Sequence, residues 1–168
     1  LFKQGYSTFI ISTDEDDQVE RDAIIKAISK RVDGIIICPT QKQVENLELM
    51  RRSGIPHVLI GRCYDDPSID CVVSDDTQGG YIAATHLLEN GHSRILFLNG
   101  PGYISSSRER LNGYRAGHIN AGVPIDPALI QEVGIKAGET SETLKKVIEQ
   151  KITFTAILAF SDLVALET

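Results

Sequence analysis

NGHSRILFLNG at residues 90–100, followed closely by SSSRERLNGY at 105–114, decides the architecture of this chain. Gly91 closes a helix, because glycine takes the left-handed backbone conformation that ends helices without a steric penalty. Ile95–Leu98 is then an unbroken apolar run that reads as a buried strand. The serines open another helix and set Arg110 in its first turns. A chain written this way leaves one α/β lobe and enters the next, with the change expected at Gly91–Arg94. A cleft between two lobes points to binding rather than catalysis.

Strands and helices alternate on both sides of this stretch. Upstream, Ser7–Ser12 (STFIIS) is a predicted strand. A helix is expected over about Glu15–Arg31, with Thr13 or Asp14 as N-cap and Ile24, Ala27, Ile28 and Val32 as its apolar stripe. VDGIIICP at 32–39 is nearly continuous in apolar residues, the pattern of a strand covered on both faces, and Pro39 ends it. Residues 41–53 are helical, and Gly54 stops them before the strand IPHVLIG. DCVVS, a short strand, follows a DDPS turn. Asp75 or Asp76 caps the next helix, whose inner face is Gly80, Ala83, Ala84 and Leu87. Downstream, a helix runs from about Ser107 to Ala121, then a strand Ile130–Gly134. A helix over about 141–150, built on Leu144, Val147 and Ile148, and a strand Thr155–Phe160 complete the pattern. Such alternation means parallel sheets with helices on both faces. The fold class is α/β, divided as 1–92 and 93–168. LFKQG at 1–5 reads as the last turn of a helix, and AILAFSDLVALET breaks off where a strand gives way to a helix. The chain is therefore expected to be an excerpt of a longer protein.

Composition narrows the function. Hydrophobic residues make up 42% of 168, enough for a core, and the formal charge is −6. A chain that grips nucleic acid unaided is more often basic, because phosphate contacts dominate affinity. Cys38, Cys63 and Cys71 form no CxxC or Cys/His cluster, so they read as small buried hydrophobes in a reducing compartment. No apolar run approaches the ~20 residues of a membrane span, and no secretory leader is expected. NGPG at 99–102 follows a strand as a phosphate loop does, but neither GxxxxGK[ST] nor GxGxxG continues it. Ser105–Ser107 stand in no GxSxG elbow. The acidic run at 14–17 reads as charge at a helix N-terminus. His57, His86, His92 and His118 have no second ligand at helical spacing. No catalytic residue, metal or cofactor is expected.

Jointly, six pieces resemble the effector-binding region of the lactose-repressor/galactose-repressor family of bacterial transcription regulators. They are VDGIII at 32–37, GIPHVLIGR at 54–62, VVSDDTQGG at 72–80, HLLENGHSRI at 86–95, RLNGY at 110–114 and AILAFSD at 156–162. Their order and spacing agree across nearly the whole chain. The resemblance implies two doubly wound parallel-sheet lobes of the periplasmic-binding-protein-like type, incomplete here, with a small effector between them. It implies a helix-turn-helix and hinge helix N-terminal to this region, a first strand and most of a first helix before Leu1, and final strands after Thr168. A homodimer, a cytoplasmic location and operator DNA reached through a domain outside this chain follow from the same likeness.

It also nominates site residues. Arg110 matches the arginine of the RxxGY motif that hydrogen-bonds effector, and its planar fork of five donors suits vicinal hydroxyls or a carboxylate. An exposed surface arginine is the plainer reading. Ser106 offers a hydroxyl contact or an N-cap. Asp162 follows a strand at the carboxyl edge where ligands bind in open α/β sheets, and a helix cap is the alternative. Ser161 stands where the family usually has an asparagine, which hints at a different ligand. Asp76 and Gln78, with Asp75, are cleft candidates beside a capping role. Lys136 falls where the family often places an aromatic; it suits an anionic effector or a solvated loop. The function expected is the sensing core of a ligand-responsive regulator binding a sugar or nucleoside-like metabolite. The alternative is an extracytoplasmic sugar-binding protein of a transport system. An α/β enzyme lacks any assembled nucleophile, base or cofactor loop.

Overall fold

In the computed structural model the described residues are 2–168, with Phe2 known by its backbone alone. A 3-10 turn at Phe2–Gln4 runs into Gly5 at φ +82°, as a helix end requires, while Leu1 lies outside the described residues. The expected strand Ser7–Ser12 does not form. Phe9 and Ile10 are 69% and 91% exposed. A strand exists only through a ladder, and among the described residues this apolar run has no partner.

Helix α1 (Asp17–Ser29) is capped by Asp16, whose carboxylate accepts from the amides of Gln18 and Val19. The cap is not Thr13 or Asp14, because Asp14 and Glu15 turn through positive φ just before it. Strand β1 (Ile35–Ile37), helix α2 (Glu45–Ser53), strand β2 (His57–Ile60) and strand β3 (Cys71–Val72) follow. Gly54 ends α2 in the left-handed conformation. The three strands form one parallel sheet in the order β1-β2-β3, with Ile36 opposite Val58 and Leu59 opposite Cys71. One face carries a core of Ile24, Leu47, Met50, Leu59 and Ile69. On the other, Ile36 and Val72 remain exposed, so the two-sided burial expected of VDGIIICP is not seen among the described residues.

Helix α3 (Asp76–Glu89), strand β4 (Ile95–Asn99), helix α4 (Ser105–Ala121), strand β5 (Ile130–Glu132), helix α5 (Glu139–Glu149), strand β6 (Ala156–Ala159) and the short helix α6 (Asp162–Leu166) build the second layer. Its parallel sheet has the order β5-β4-β6, separate from the first. Every residue of β4 is buried. Leu96 and Leu98 meet Val147 and Val164 on one face, while Ile95 and Phe97 meet Ala84 and Tyr114 on the other. This alternation is what helices on both faces of a parallel sheet demand.

The change of layer falls earlier than Gly91–Arg94. α3 already lies along α4 on the second sheet, with Ala84, Leu87 and Leu88 in the same cluster as Ile95, Phe97 and Tyr114. Glycines permit the approach: a Cβ at Gly113 would stand 1.9 Å from the carbonyl oxygen of Thr77, and one at Gly80 would stand 2.2 Å from that of Arg110. Packing thus puts the crossing near Ser74–Asp76 and moves α3 out of the expected 1–92 lobe. The inner face of α3 was readable from its period, but period alone does not say which sheet that face covers.

Candidate functional site

The loops that leave the carboxyl ends of the two sheets meet each other, and open α/β sheets bind ligands at such ends. On the first sheet, the loop after β1 is held from below by Glu20, which is 1% exposed. Its carboxylate accepts from the Thr40 amide at 2.8 Å and from Asn46 Nδ2 at 2.9 Å. Asp17 accepts from the Thr40 hydroxyl. Arg62, two residues past β2, pairs in a fork with Glu15, Nη1 to Oε2 at 2.8 Å and Nη2 to Oε1 at 2.6 Å. It also donates to the carbonyl of Pro39 at 3.0 Å. Burial works against the Arg62 charge, and the Glu15 carboxylate overcomes it, so this guanidinium is held above its ordinary range.

On the second sheet, Arg110 sits in the second turn of α4. Its Nε donates to Asp76 Oδ1 at 2.8 Å, Nη1 donates to the Phe160 carbonyl, and the guanidinium carbon stands 4.6 Å from the centre of the Phe160 ring. Asp76 is buried, so the pair is partly shielded from water. A cavity of about 510 Å³ is lined by Arg110, Phe160, Ser161 and Asp162 together with Ile157, Ala159 and Ala165. Four of the nominated residues, Arg110, Asp76, Ser161 and Asp162, are therefore brought together. The cap of α6 is Ser161, whose hydroxyl accepts from the Val164 amide, and not Asp162. Ser161 lies in an extended conformation one residue before the first helical turn, which is the geometry a cap requires.

The remaining candidates stand apart. Ser106 is buried inside the first turn of α4; the N-cap is Ile104, so the capping role for Ser106 does not hold. Gln78 is exposed and its amide donates to Asp75, which is the cap of α3. Lys136 is exposed, and its amide donates to Glu139. Its charge still reaches Asp16 at the start of α1: the amides of Val19 and Gln18 chiefly hold that carboxyl low, with Lys136 a smaller contributor.

Between the two sheets lies a ring of hydrogen bonds. Gln41, 8% exposed and at φ +63°, accepts from the Ser105 amide at 2.8 Å and donates to the Cys63 carbonyl at 2.8 Å. The Cys63 amide closes the ring on the Ser105 hydroxyl at 3.1 Å. Cys63 is disulfide-bonded to Cys71, and Cys38 is exposed. The reading of all three cysteines as small buried hydrophobes is thus corrected: the loop between β2 and β3 folds back and brings Cys63 beside the start of β3. Glu15, Gln41 and Arg62 were missed as site residues. Arg62 stood in the motif GIPHVLIGR, but its partner is 47 residues away, and Gln41 reaches Ser105 across 64. Among the described residues no group of three His, Cys, Asp or Glu side chains is placed to hold a metal. No helix among them is long and apolar enough to cross a membrane.

Residues 1–167 match the family described as periplasmic binding proteins and sugar binding domain of LacI family. The HTH-type transcriptional repressor PurR of Aliivibrio fischeri is 30% identical over 168 residues, which cover 98% of this chain and 50% of that protein. The HTH-type transcriptional regulator DegA of Bacillus subtilis is 34% identical, with 96% of this chain and 48% of that protein covered. The chain spans about half the length of these curated relatives. Among solved structures, a putative ribose operon repressor from Burkholderia thailandensis superposes with a TM-score of 0.84 at 29% identity, covering 99% of this chain and 61% of that one.

Proposed function

The chain belongs to the family of periplasmic binding proteins and LacI-type sugar-binding domains, and from that premise we propose that it is the effector-binding core of a ligand-responsive bacterial transcription regulator. A small polar metabolite, a sugar or a nucleoside-like compound, binds between the lobes. DNA is read by a helix-turn-helix N-terminal to this region, in a homodimer, in the cytoplasm. The observation that carries the reading is the meeting of Arg110, Ser161 and Asp162 around one cavity at the carboxyl ends of the second sheet. Asp76 positions the Arg110 guanidinium.

Ligand control follows from differential affinity. An effector that binds one relative orientation of the lobes better than another shifts the population toward it. The lobes in this reading change over near Ser74–Asp76. In this reading the effector is bound and released unchanged, as fits relatives named as a transcriptional repressor and a transcriptional regulator. The relatives that are named as repressors support the regulatory reading over a transport role.

The test is a thermal-shift screen of the full-length protein against neutral sugars, sugar phosphates, nucleosides and purines, since a ligand that binds only the native state raises its stability. A hit is then followed for operator binding and for sedimentation as a dimer. A ligand that stabilises the protein and changes its DNA affinity is expected. Turnover of any of these compounds, abolished by one point mutation, refutes the reading.

A further inference from the structure

We propose that Cys63 and Cys71 form a reversible redox site that sets how firmly the β2–β3 loop grips the start of α4. Three observations carry this. The disulfide ties Cys63, outside the sheet, to Cys71 on β3, which is itself paired with Leu59 of β2. The Cys63 backbone has both polar groups in use, its carbonyl accepting from Gln41 Nε2 of the same lobe at 2.8 Å and its amide donating to Ser105 Oγ of the second lobe at 3.1 Å. Arg62, the neighbour of Cys63, makes the forked pair with Glu15. A bond that fixes Cys63 relative to the sheet therefore fixes the amide donor aimed across the cleft at Ser105, and the Gln41 side chain that the Cys63 carbonyl holds beside it. A cross-link over eight residues adds a covalent tie to a loop otherwise held by Ile69 and Tyr64 against the core and by Asp66 and Ser68 on Arg51.

The oxidant is a low-molecular-weight disulfide such as oxidised glutathione. The Cys63 thiolate attacks one of its sulfurs and releases one glutathione thiolate, leaving a mixed disulfide. The Cys71 thiolate then attacks the Cys63 sulfur and expels the second. Two protein thiols are oxidised, one glutathione disulfide is reduced to two thiols, and the protons from the cysteines pass to the departing thiolates through solvent. Excess dithiol reverses the sequence. In the reduced state the loop loses its covalent tie, and its contact with Ser105 opens more often. The sulfur chemistry stands independently of the function proposed above, whereas its consequence for an effector rests on that reading.

The experiment uses the full-length protein equilibrated with oxidised or reduced glutathione. Peptide mass spectrometry reads the state of Cys63 and Cys71, and hydrogen exchange reads the amides of Cys63 and Ser105. In the oxidised sample the peptide holding both cysteines is expected to be two hydrogens lighter, with both amides exchanging about tenfold more slowly. Cys71→Ser is expected to exchange at the fast, reduced rate under either condition. If that variant does not fold, the wild-type comparison alone decides. Thiols that stay reduced in oxidised glutathione overturn the proposal. So does a disulfide that forms without slowing the Ser105 amide. Either failure leaves the effector reading standing, because a thermal-shift hit under reducing conditions does not depend on it.

Discussion

Arg110 is held on three sides, by Asp76, by the Phe160 carbonyl and by the Phe160 ring. Nε and Nη1 are spent on protein, and among the described residues Nη2 makes no hydrogen bond within the protein. A guanidinium fixed by two of its nitrogens offers the third without a large entropic penalty. Arg110→Ala is therefore expected to weaken effector binding by about 1.5–3 kcal/mol, roughly tenfold or more, read by calorimetry with the ligand found in the screen. Arg110→Lys should recover little, because an ammonium cannot hold Asp76 and Phe160 in a fork. Undiminished affinity in Arg110→Ala returns this residue to the role of a structural tie between α4 and β6. The arginine was legible in the sequence because RLNGY is a local motif. Gln41 and Glu15 were not, because nothing beside them in the sequence marks a partner dozens of residues away.

Among elements, the α3–α4 pair decides where Arg110 stands. Gly80 faces the backbone of Arg110 and Gly113 faces that of Thr77, at distances no side chain tolerates. Gly113→Ala is expected to force the helices apart and to cost about 1–3 kcal/mol, the scale of overpacking. That corresponds to a Tm lower by roughly 2–4 °C per kcal/mol. An unchanged Tm contradicts the close approach. The β2–β3 loop offers a second test. The Arg51 guanidinium, with the Ser68 hydroxyl and amide, pulls the Asp66 carboxyl down to about 2. A lowered carboxyl stabilises the fold above its unfolded value, about 3.9, and the gain is lost as pH falls through about 2. Wild type should thus lose stability between about pH 4 and pH 2 to an extent that Asp66→Asn does not, measured by urea midpoints at the two ends. The group is exposed, so the difference is small. Helical period and capping residues made nearly every helix readable, with ends within a few residues. Ser7–Ser12 was misread because apolar composition is not a ladder. α3 was assigned to the wrong lobe because its stripe fits either sheet.

At the scale of the whole molecule, two separate parallel sheets are joined by very little buried polar structure, and the Gln41 ring is its centre. The residue is held in a left-handed conformation that a non-glycine side chain adopts at a cost, and it is nearly fully buried. Both facts are accounted for if its amide must face Cys63 and Ser105 at once. Gln41→Ala leaves the Ser105 amide and the Cys63 carbonyl short of a partner at a partly buried junction, which costs on the order of 1–3 kcal/mol. More telling is where that cost falls. None of the three hydrophobic clusters contains Gln41, so each lobe keeps its packing and the loss is confined to their mutual orientation. The effector-free variant is expected to show a larger radius of gyration in small-angle scattering than wild type, and saturating effector should bring the two together. Gln41→Gly separates the two contributions, since it relieves the backbone while still removing the amide. It should match Gln41→Ala in scattering yet unfold at a higher temperature. If both variants keep the wild-type radius, the lobes are held by apolar contact alone and the hydrogen-bonded ring does not set their angle.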